Sequence, residues 1–531
     1  MREVSVWDAF WYNNWTAGGP LSSMLWLSVY PIWFPQADIL LALVLTAIYS
    51  TFIGAMYALN VMAMPRSGSD YVFVSRTLAP ALGLAFSLTL IFWLMMVNAW
   101  NVYLSYAFLS QSFWSLGAMM NSATVVSTWA VVSSSTTNIL IVGALLYVIT
   151  TAIVLIGLNR YMRSFQRWLN IISFISFAII IAAVVMLTNQ DFIARFNGYM
   201  SPLSGTADPY HDLSNLATSL GWSAPSGFDW NQTMTVSVLW FLIAMWPMAS
   251  AWIGGEIKRA DSAKSQFLAM SGGQWFTDMA CAFFIVLWYR AFDKNWLAAI
   301  GYIALNHPDK MPAWLTGAAP YWQLGWVNFL VGNVPLALLI SVAWIIQAIT
   351  LLPPLTIAAS RHLFAWSFDR IAPTKLSDVD ERLHSPVYAV LVIGVVTLIG
   401  YVFTVYTTYL GFAVGGPLGV MWALLLVAVA TIVFKWRRKE IFESSVVSRL
   451  KVAGVPLHPV AGILALLTLF MTLSYYLGPL NSVALGGLAT TVTEITAAVL
   501  AIGIIGYYVA KYVQEKRGVP IELVFKQIPP E

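Results

Sequence analysis

The chain has 531 residues, of which 59% are hydrophobic and 9% charged, and its formal net charge is +4. No soluble core hides that much apolar surface, so the solvent for most of the chain is lipid, and so small a positive balance points to no nucleic-acid partner. The lone Cys281 excludes an intrachain disulfide, and residues 1–7 lack the basic, apolar and small-residue pattern of a signal peptide.

Apolar runs of about 20 residues predict spanning helices rather than barrel strands. About twelve are expected, near 7–34, 38–63, 82–111, 138–158, 168–187, 234–258, 273–292, 326–359, 387–407, 410–434, 458–477 and 488–512. The first span carries Ala17, Gly18, Gly19 and Pro20 before apolar sequence resumes at Leu21. Glycine pairs weaken a helix, and proline prefers the first turn of a new one. A break there leaves a half-helix starting near Pro20, with the Ser22 and Ser23 hydroxyls near the bilayer middle, a setting that favours an anion such as a carboxylate. The competing reading is a packing kink, since Gly and Pro are common in membrane helices. In the third span Asn98 and Asn101 share a face at one-turn spacing, and Trp15, Trp93, Trp100 and Trp246 are candidates for an aromatic wall. The sixth span holds a second irregularity, Met245, Trp246, Pro247 and Met248. Proline removes a backbone donor and frees a carbonyl one turn earlier, which suits a cation. Gly415, Gly416 and Pro417 mark a third break, read as gating or packing.

Two breaks in positions one and six predict a pair of inverted repeats with a site where they meet. The boundaries are 1–187 for helices one to five, 188–233 for an outer loop and 234–434 for helices six to ten. Helices eleven and twelve occupy 435–512, and 513–531 is a tail. The outer segments 112–137, 188–233 and 293–325 read as caps and gates. Placing the amino end inside leaves only Arg195, Arg290, Lys294 and Lys310 of the 27 Lys and Arg residues outside, as cytoplasmic retention of positive charge requires. Both termini are therefore expected in the cytoplasm of a cell-membrane protein.

Three polar, basic stretches interrupt the apolar sequence. Met64-Pro-Arg-Ser-Gly-Ser-Asp-Tyr-Val-Phe-Val-Ser-Arg76 follows the second span, and Gly254-Gly-Glu-Ile-Lys-Arg259 follows the sixth. Ser360-Arg-His-Leu-Phe-Ala-Trp-Ser-Phe-Asp-Arg370, then Ala372-Pro373 and His384-Ser-Pro-Val-Tyr388, follows the eighth. Arg66, Asp70, Arg76, Glu256, Lys258, Arg361 and Asp369 are expected at the inner membrane edge as surface ion pairs, weak enough to part as a vestibule opens. Arg66, Asp70, Glu256 and Arg361 are the gate candidates, Glu256 foremost. In this order, together with the tail Lys526-Gln-Ile-Pro-Pro-Glu531, the three stretches resemble the amino acid-polyamine-organocation transporters, in which the loop after helix two usually reads P-R-S-G-G-D/E-Y. Ser69 stands where the second glycine is common.

The resemblance implies an all-α integral membrane protein of about twelve helices with a five-plus-five inverted repeat, broken in helices one and six. It further implies a secondary carrier that moves amino acids by alternating access. Carried over by position, it nominates Ala17, Gly18, Gly19, Pro20, Ser22, Met245, Trp246 and Pro247, with Asn98 and Asn101 beside them, as substrate-binding residues. No organic cofactor is implied; the coupling ion is sodium or a proton. A sodium site draws on hydroxyls such as Ser22, Thr350 and Thr356. The Lys that some proton-coupled members carry in helix five has no counterpart in 168–188, and Asp278 and Glu494 are the acids placed deepest. The expected partners are a small-molecule amino acid and the lipid bilayer, and the sequence leaves the oligomeric state open. The alternative within the fold is a polyamine or other organic-cation carrier, which would want acidic site residues. A channel fits paired breaks less well. A membrane enzyme lacks support, since the five histidines lie in predicted loops or edges without ligand spacing.

Overall fold

The computed structural model describes residues 3–19, 30–318, 323–407, 410–483 and 486–528. Among them ten helices are long and apolar enough to cross a membrane, or eleven if Ala263–Ala291 is joined to Lys294–Asn306, bent from it by 86°. We number twelve helices, of which the 11-residue α1 is too short to be one of those spans: α1 (Val6–Thr16), α2 (Ile39–Ala63), α3 (Pro80–Met119), α4 (Thr136–Leu155), α5 (Leu158–Met186), α6 (Trp230–Ala244) and α7 (Ala263–Ala291). The series continues with α8 (Val334–Phe368), α9 (Val387–Tyr406), α10 (Leu410–Arg437), α11 (Leu457–Leu477) and α12 (Ala489–Lys516). The protein is an all-α membrane protein; the strands described are a small hairpin of Lys451–Val452 with Val455–Pro456.

The helix starts follow local chemistry. Ser5 and Asp8 form a reciprocal capping box at α1, with Asp8 N donating to Ser5 Oγ at 3.1 Å and Ser5 N to Asp8 Oδ2 at 3.0 Å. Asp38 and Asp229 cap α2 and α6 one-way, their carboxylates accepting from the amides of Leu41 and Gln232. α3 opens on Pro80 and runs for 40 residues, about 60 Å at 1.5 Å per residue, roughly twice the hydrocarbon thickness. It is the central mast, packed against α8, α9, α10 and α12. Val148, Ile149, Phe283, Val286, Val395, Phe403, Leu467 and Ile505 project outward from the bundle, where only lipid makes such exposure favourable.

Several boundaries differ from the sequence expectation. α5 begins at Leu158 and α7 at Ala263, each passing through a π turn, Tyr161–Gln166 and Leu268–Gly272 respectively. Polar residues at these starts hide from a hydropathy reading but remain good helix formers. α8 begins at Val334, bends at Leu351 and continues to Phe368, so Ser360–Phe368 is helix rather than loop. The segments read as irregular outer caps contain the helices Ala123–Ser134, Asn189–Ser204, Pro209–Ser219 and Lys294–Asn306.

Candidate functional site

Both expected interruptions involve backbone that leaves the helix. α1 stops at Thr16, and Gly18 and Gly19 follow with φ of 93° and 54°. This is the left-handed region that glycine enters without penalty. Pro20 and Ser22 lie outside the described residues. α6 stops at Ala244, and after Met245–Met248 the chain resumes as a short 3-10 turn, Ala249–Trp252. Pro247 has no N–H with which to continue the α ladder.

One amide side chain joins the two breaks. Asn13, fully buried in the last turn of α1, donates through Nδ2 to Ser250 Oγ (2.8 Å) and to the Ala269 carbonyl (2.7 Å), while its Oδ1 accepts from Ser250 N at 2.7 Å. The Ala269 carbonyl belongs to the π turn of α7, where the regular ladder is dislocated. On the other side of the α1 break, Gln347 of α8 donates through Nε2 to the Gly18 carbonyl. A Cβ on Gly19 would lie 2.9 Å from Gln347 Nε2 and 3.0 Å from the Trp15 ring, so Gly19, Gln347 and Trp15 share one small space. Trp15 Nε1, on the edge of the indole away from Gly19, and Gln347 Oε1 are each buried without a hydrogen-bond partner among the described residues. A buried orphan donor or acceptor costs about 1–3 kcal/mol, so each is a group open to completion. Asn98 of α3 lies farther along α8, donating to Thr356 Oγ1 at 3.1 Å with its own Oδ1 unpartnered.

On the face that carries the amino terminus, a second set of residues seals the bundle. Backbone pairing fixes the frame: Val4 brackets Ile257, and Gly68 N donates to the Trp252 carbonyl at 2.9 Å. Gly68 has φ +65°, and a Cβ there would lie 3.1 Å from the Arg361 carbonyl. Asp70 accepts from Trp252 Nε1 (3.0 Å) and Tyr57 OH (3.2 Å). His362 Nε2 stands 3.1 Å from Asp70 Oδ1 but off the line of a hydrogen bond, while its Nδ1 shares a 2.6 Å hydrogen bond with Ser87 Oγ. Arg361 reaches Glu256 through Nε at 2.8 Å. Arg76 grips Asp369 with two hydrogen bonds of 2.5 and 2.6 Å, and Tyr71 OH donates to the same carboxylate at 2.7 Å. Burial pulls the Arg76 guanidinium down, but the Asp369 carboxylate more than offsets this and holds it above its ordinary range.

Residues 28–507 match the family described as amino acid permease. The chain belongs to the amino acid permease family. This permease is therefore a membrane transport protein of the amino acid-polyamine-organocation superfamily. No curated protein matches it. The matched stretch starts after Gly18 and Gly19, so the α1 break rests on the geometry alone.

The permease brings together Ala17, Gly18, Gly19 and Gln347 at one break and Met245, Trp246 and Pro247 at the other, all buried. Trp246 keeps its indole N–H on the Leu242 carbonyl at 2.7 Å. Asn101 is buried one turn from Asn98. Trp93 is not part of any wall there: its Nε1 donates to Thr496 of α12 at 2.9 Å. Thr350 donates to the Gln347 carbonyl of its own helix at 2.6 Å, and no group of three or more His, Cys, Asp and Glu among the described residues is placed to hold a metal. Arg66 donates to the neighbouring Pro65 carbonyl at 2.9 Å.

The gate residues require a correction. Four of them are not surface residues, Asp70 and Asp369 being 1% exposed, Arg76 2% and Arg361 7%, whereas Arg66 and Glu256 are partly exposed and Lys258 is exposed as expected. The helical course of α8 to Phe368 and the seated helix Ser69–Thr77 carry the buried four under cover. His362, read as a loop residue, is completely buried in α8. Asn13, Gln347 and Ser250 were not singled out by the sequence. Their signal was polarity inside apolar runs, visible for Asn13 and Gln347 and invisible for a lone serine.

Proposed function

We propose that this permease carries amino acids across the cytoplasmic membrane by alternating access. Gln347, which meets the Gly18–Gly19 turn and keeps its Oε1 unpartnered among the described residues, carries the reading, supported by the open Trp15 Nε1: an acceptor and a donor left open near the α1 break suit a zwitterion with one donor end and one acceptor end. The broken α6 supplies the facing wall. Spans one to five and six to ten form the inverted repeats, with both termini cytoplasmic, and the amino-terminal face is the inner gate. Its buried ion pairs correspond to an inward-closed state, and Arg66 borders the loop that those pairs hold.

A polyamine carrier of the same fold would need carboxylates at the breaks. The side chains gathered there, Asn13, Trp15, Thr16, Ser250 and Gln347, are all uncharged. The test is uptake by purified protein in liposomes with a labelled panel of amino acids and polyamines. Accumulation of amino acids, lost in Gly18→Leu and Trp246→Ala, is the expected result. Accumulation of a polyamine alone overturns the substrate class, and wild-type uptake by both variants overturns the site.

A further inference from the structure

Asp278 has no role in the site just described. It stands well inside α7, which starts at Ala263 rather than near the aspartate as the hydropathy reading implied, and it is 6% exposed. Its Oδ1 accepts one hydrogen bond, from Gln274 Nε2 at 2.9 Å, and its Oδ2 is buried with no partner. Ser50 of α2 faces it, with a hydroxyl that donates to the Ala47 carbonyl at 3.0 Å. Gln274 Oε1 and, on the adjoining face, Asn14 Oδ1 are also buried and unpartnered. All three orphans are acceptors, so what this seam lacks is a hydrogen.

The surrounding elements supply no counter-charge. α7 packs against α1, α2, α5 and the helix Asn189–Ser204. On α1, Tyr12 donates to the Pro354 carbonyl and Asp8 caps its own helix. On α2, Tyr49 lies against Met234 Sδ. Arg163 and Arg167 belong to the start of α5, and in the helix Asn189–Ser204 Asp191 caps the first turn while Arg195 donates to the Leu330 carbonyl. On α7 itself, Lys264 lies in the first turn, Arg290 in the last, and Cys281 follows Asp278 by one turn. None of these forms an ion pair with Asp278 among the described residues. A carboxylate without a cation, with one amide donor and only the Ser50 hydroxyl besides, is poorly stabilised in a water-excluded interior, whereas a carboxylic acid adds a donor and removes the charge.

The same seam is tied to the breaks. Thr277, adjacent to Asp278, receives a hydrogen bond from Asn14 Nδ2, which also lies 3.5 Å from the Gly273 carbonyl. Asn14 neighbours Asn13, the residue that links both broken helices. Parting α1 from α7 would break these links, one residue along α7 from the Asp278 carboxyl.

We propose that Asp278 is the proton-binding site of this carrier, protonated while α1 is seated on α7 and ionised when their parting hydrates it. This rests on the transport reading above and names its coupling ion. A proton needs one acceptor; a metal ion needs several converging oxygens. The step is a reversible transfer of H⁺ between water and Asp278 Oδ2, with no other bond changed.

The test uses purified full-length protein in liposomes, with a pH gradient, a sodium gradient, or neither. Exchange of a labelled amino acid across symmetric membranes reports the carrier reading by itself. Accumulation under the pH gradient, divided by exchange, should fall about tenfold or more in Asp278→Asn, within the usual range of coupling between sites. Asp278→Glu should restore it. A pH-gradient response that survives in Asp278→Asn, or accumulation in the wild type that follows sodium and ignores the pH gradient, overturns the proposal. If no amino acid exchanges, the substrate reading fails and infrared spectroscopy of the same protein decides this one alone. A protonated-carboxyl band present at neutral pH and missing in Asp278→Asn supports it; absence of that band from the wild type overturns it.

Discussion

The Arg76–Asp369 pair is the sharpest test of the inner gate proposed above. Asp369→Asn keeps the side-chain shape but removes the charge that two guanidinium hydrogen bonds and the Tyr71 hydroxyl now share. Arg76, 2% exposed, would remain as a buried cation held only by neutral groups, Ser75 Oγ at 2.9 Å, the Gln527 carbonyl at 3.4 Å and the Phe525 ring 4.8 Å from its guanidinium carbon. Breaking one side of such a buried pair costs about 3–5 kcal/mol. If the pair exists only in the closed arrangement, that cost shifts the closed-to-open ratio by two to three orders of magnitude, at about 1.4 kcal/mol per decade. The assay is thiol labelling in a Cys281→Ser background carrying Ser69→Cys, because Ser69 is 1% exposed and its hydroxyl has no partner to lose. A membrane-impermeant maleimide should modify this thiol slowly in the parent and at least tenfold faster after Asp369→Asn. Replacing both partners, Arg76→Met with Asp369→Leu, should return labelling most of the way, since an apolar pair of similar volume leaves no orphan charge. Unchanged labelling in Asp369→Asn, or no recovery in the double variant, would refute the reasoning.

Three further outcomes are expected. Gly19→Ala forces a side chain into φ of 54° at about 1–2 kcal/mol and crowds Gln347, so calorimetric titration should show substrate affinity reduced by about tenfold or more. Asn13→Ala strips three hydrogen bonds between α1, the α6 extension and α7; it should destabilise the detergent-solubilised protein by about 1–3 kcal/mol in denaturant unfolding. Phe525→Ala removes a 3% exposed ring seated on Arg76 and Tyr507. At about 3–5 kcal/mol for a fully buried Phe, it should release the tail to limited proteolysis while leaving the bundle uncut.

Most spans were legible because a lipid solvent demands long apolar runs, and nothing else in a sequence resembles them. The breaks were legible too, since Gly18-Gly19 and Pro247 act on the backbone locally, without reference to any partner. What escaped the sequence was of two kinds. The outer helices Asn189–Ser204 and Pro209–Ser219 are amphipathic and polar, so hydropathy passes over them, although Thr188 with Asp191 and Asp208 before Pro209 are ordinary start signals. The charged residues read as a surface gate were misjudged in depth at Asp70 and Arg361, which are buried. Whether Arg76 is surface or core depends on Asp369, which is 293 positions away in the chain, and on Phe525 of the tail.

The distribution of polar chemistry along the axis follows from where water can arrive. At the membrane edge, the pairs Arg76–Asp369 and Arg361–Glu256 are charged. When that face opens, each partner is rehydrated at once, so the loss of the pair is offset by solvation and the barrier to opening stays moderate. Half-way through the bilayer the same pairs would hold the helices shut, because parting them would leave two ions with little water. There the contacts are amides and hydroxyls instead: Asn13 with Ser250, Gln347 with the Gly18 carbonyl, Asn98 with Thr356. A neutral hydrogen bond contributes about 0.5–1.5 kcal/mol net, strong enough to set register and weak enough to exchange for the carboxylate or ammonium of the amino acid proposed as substrate. Asp278 is the acid nearest to this set, and the proton proposed for it would make it as neutral as the amides and hydroxyls around it.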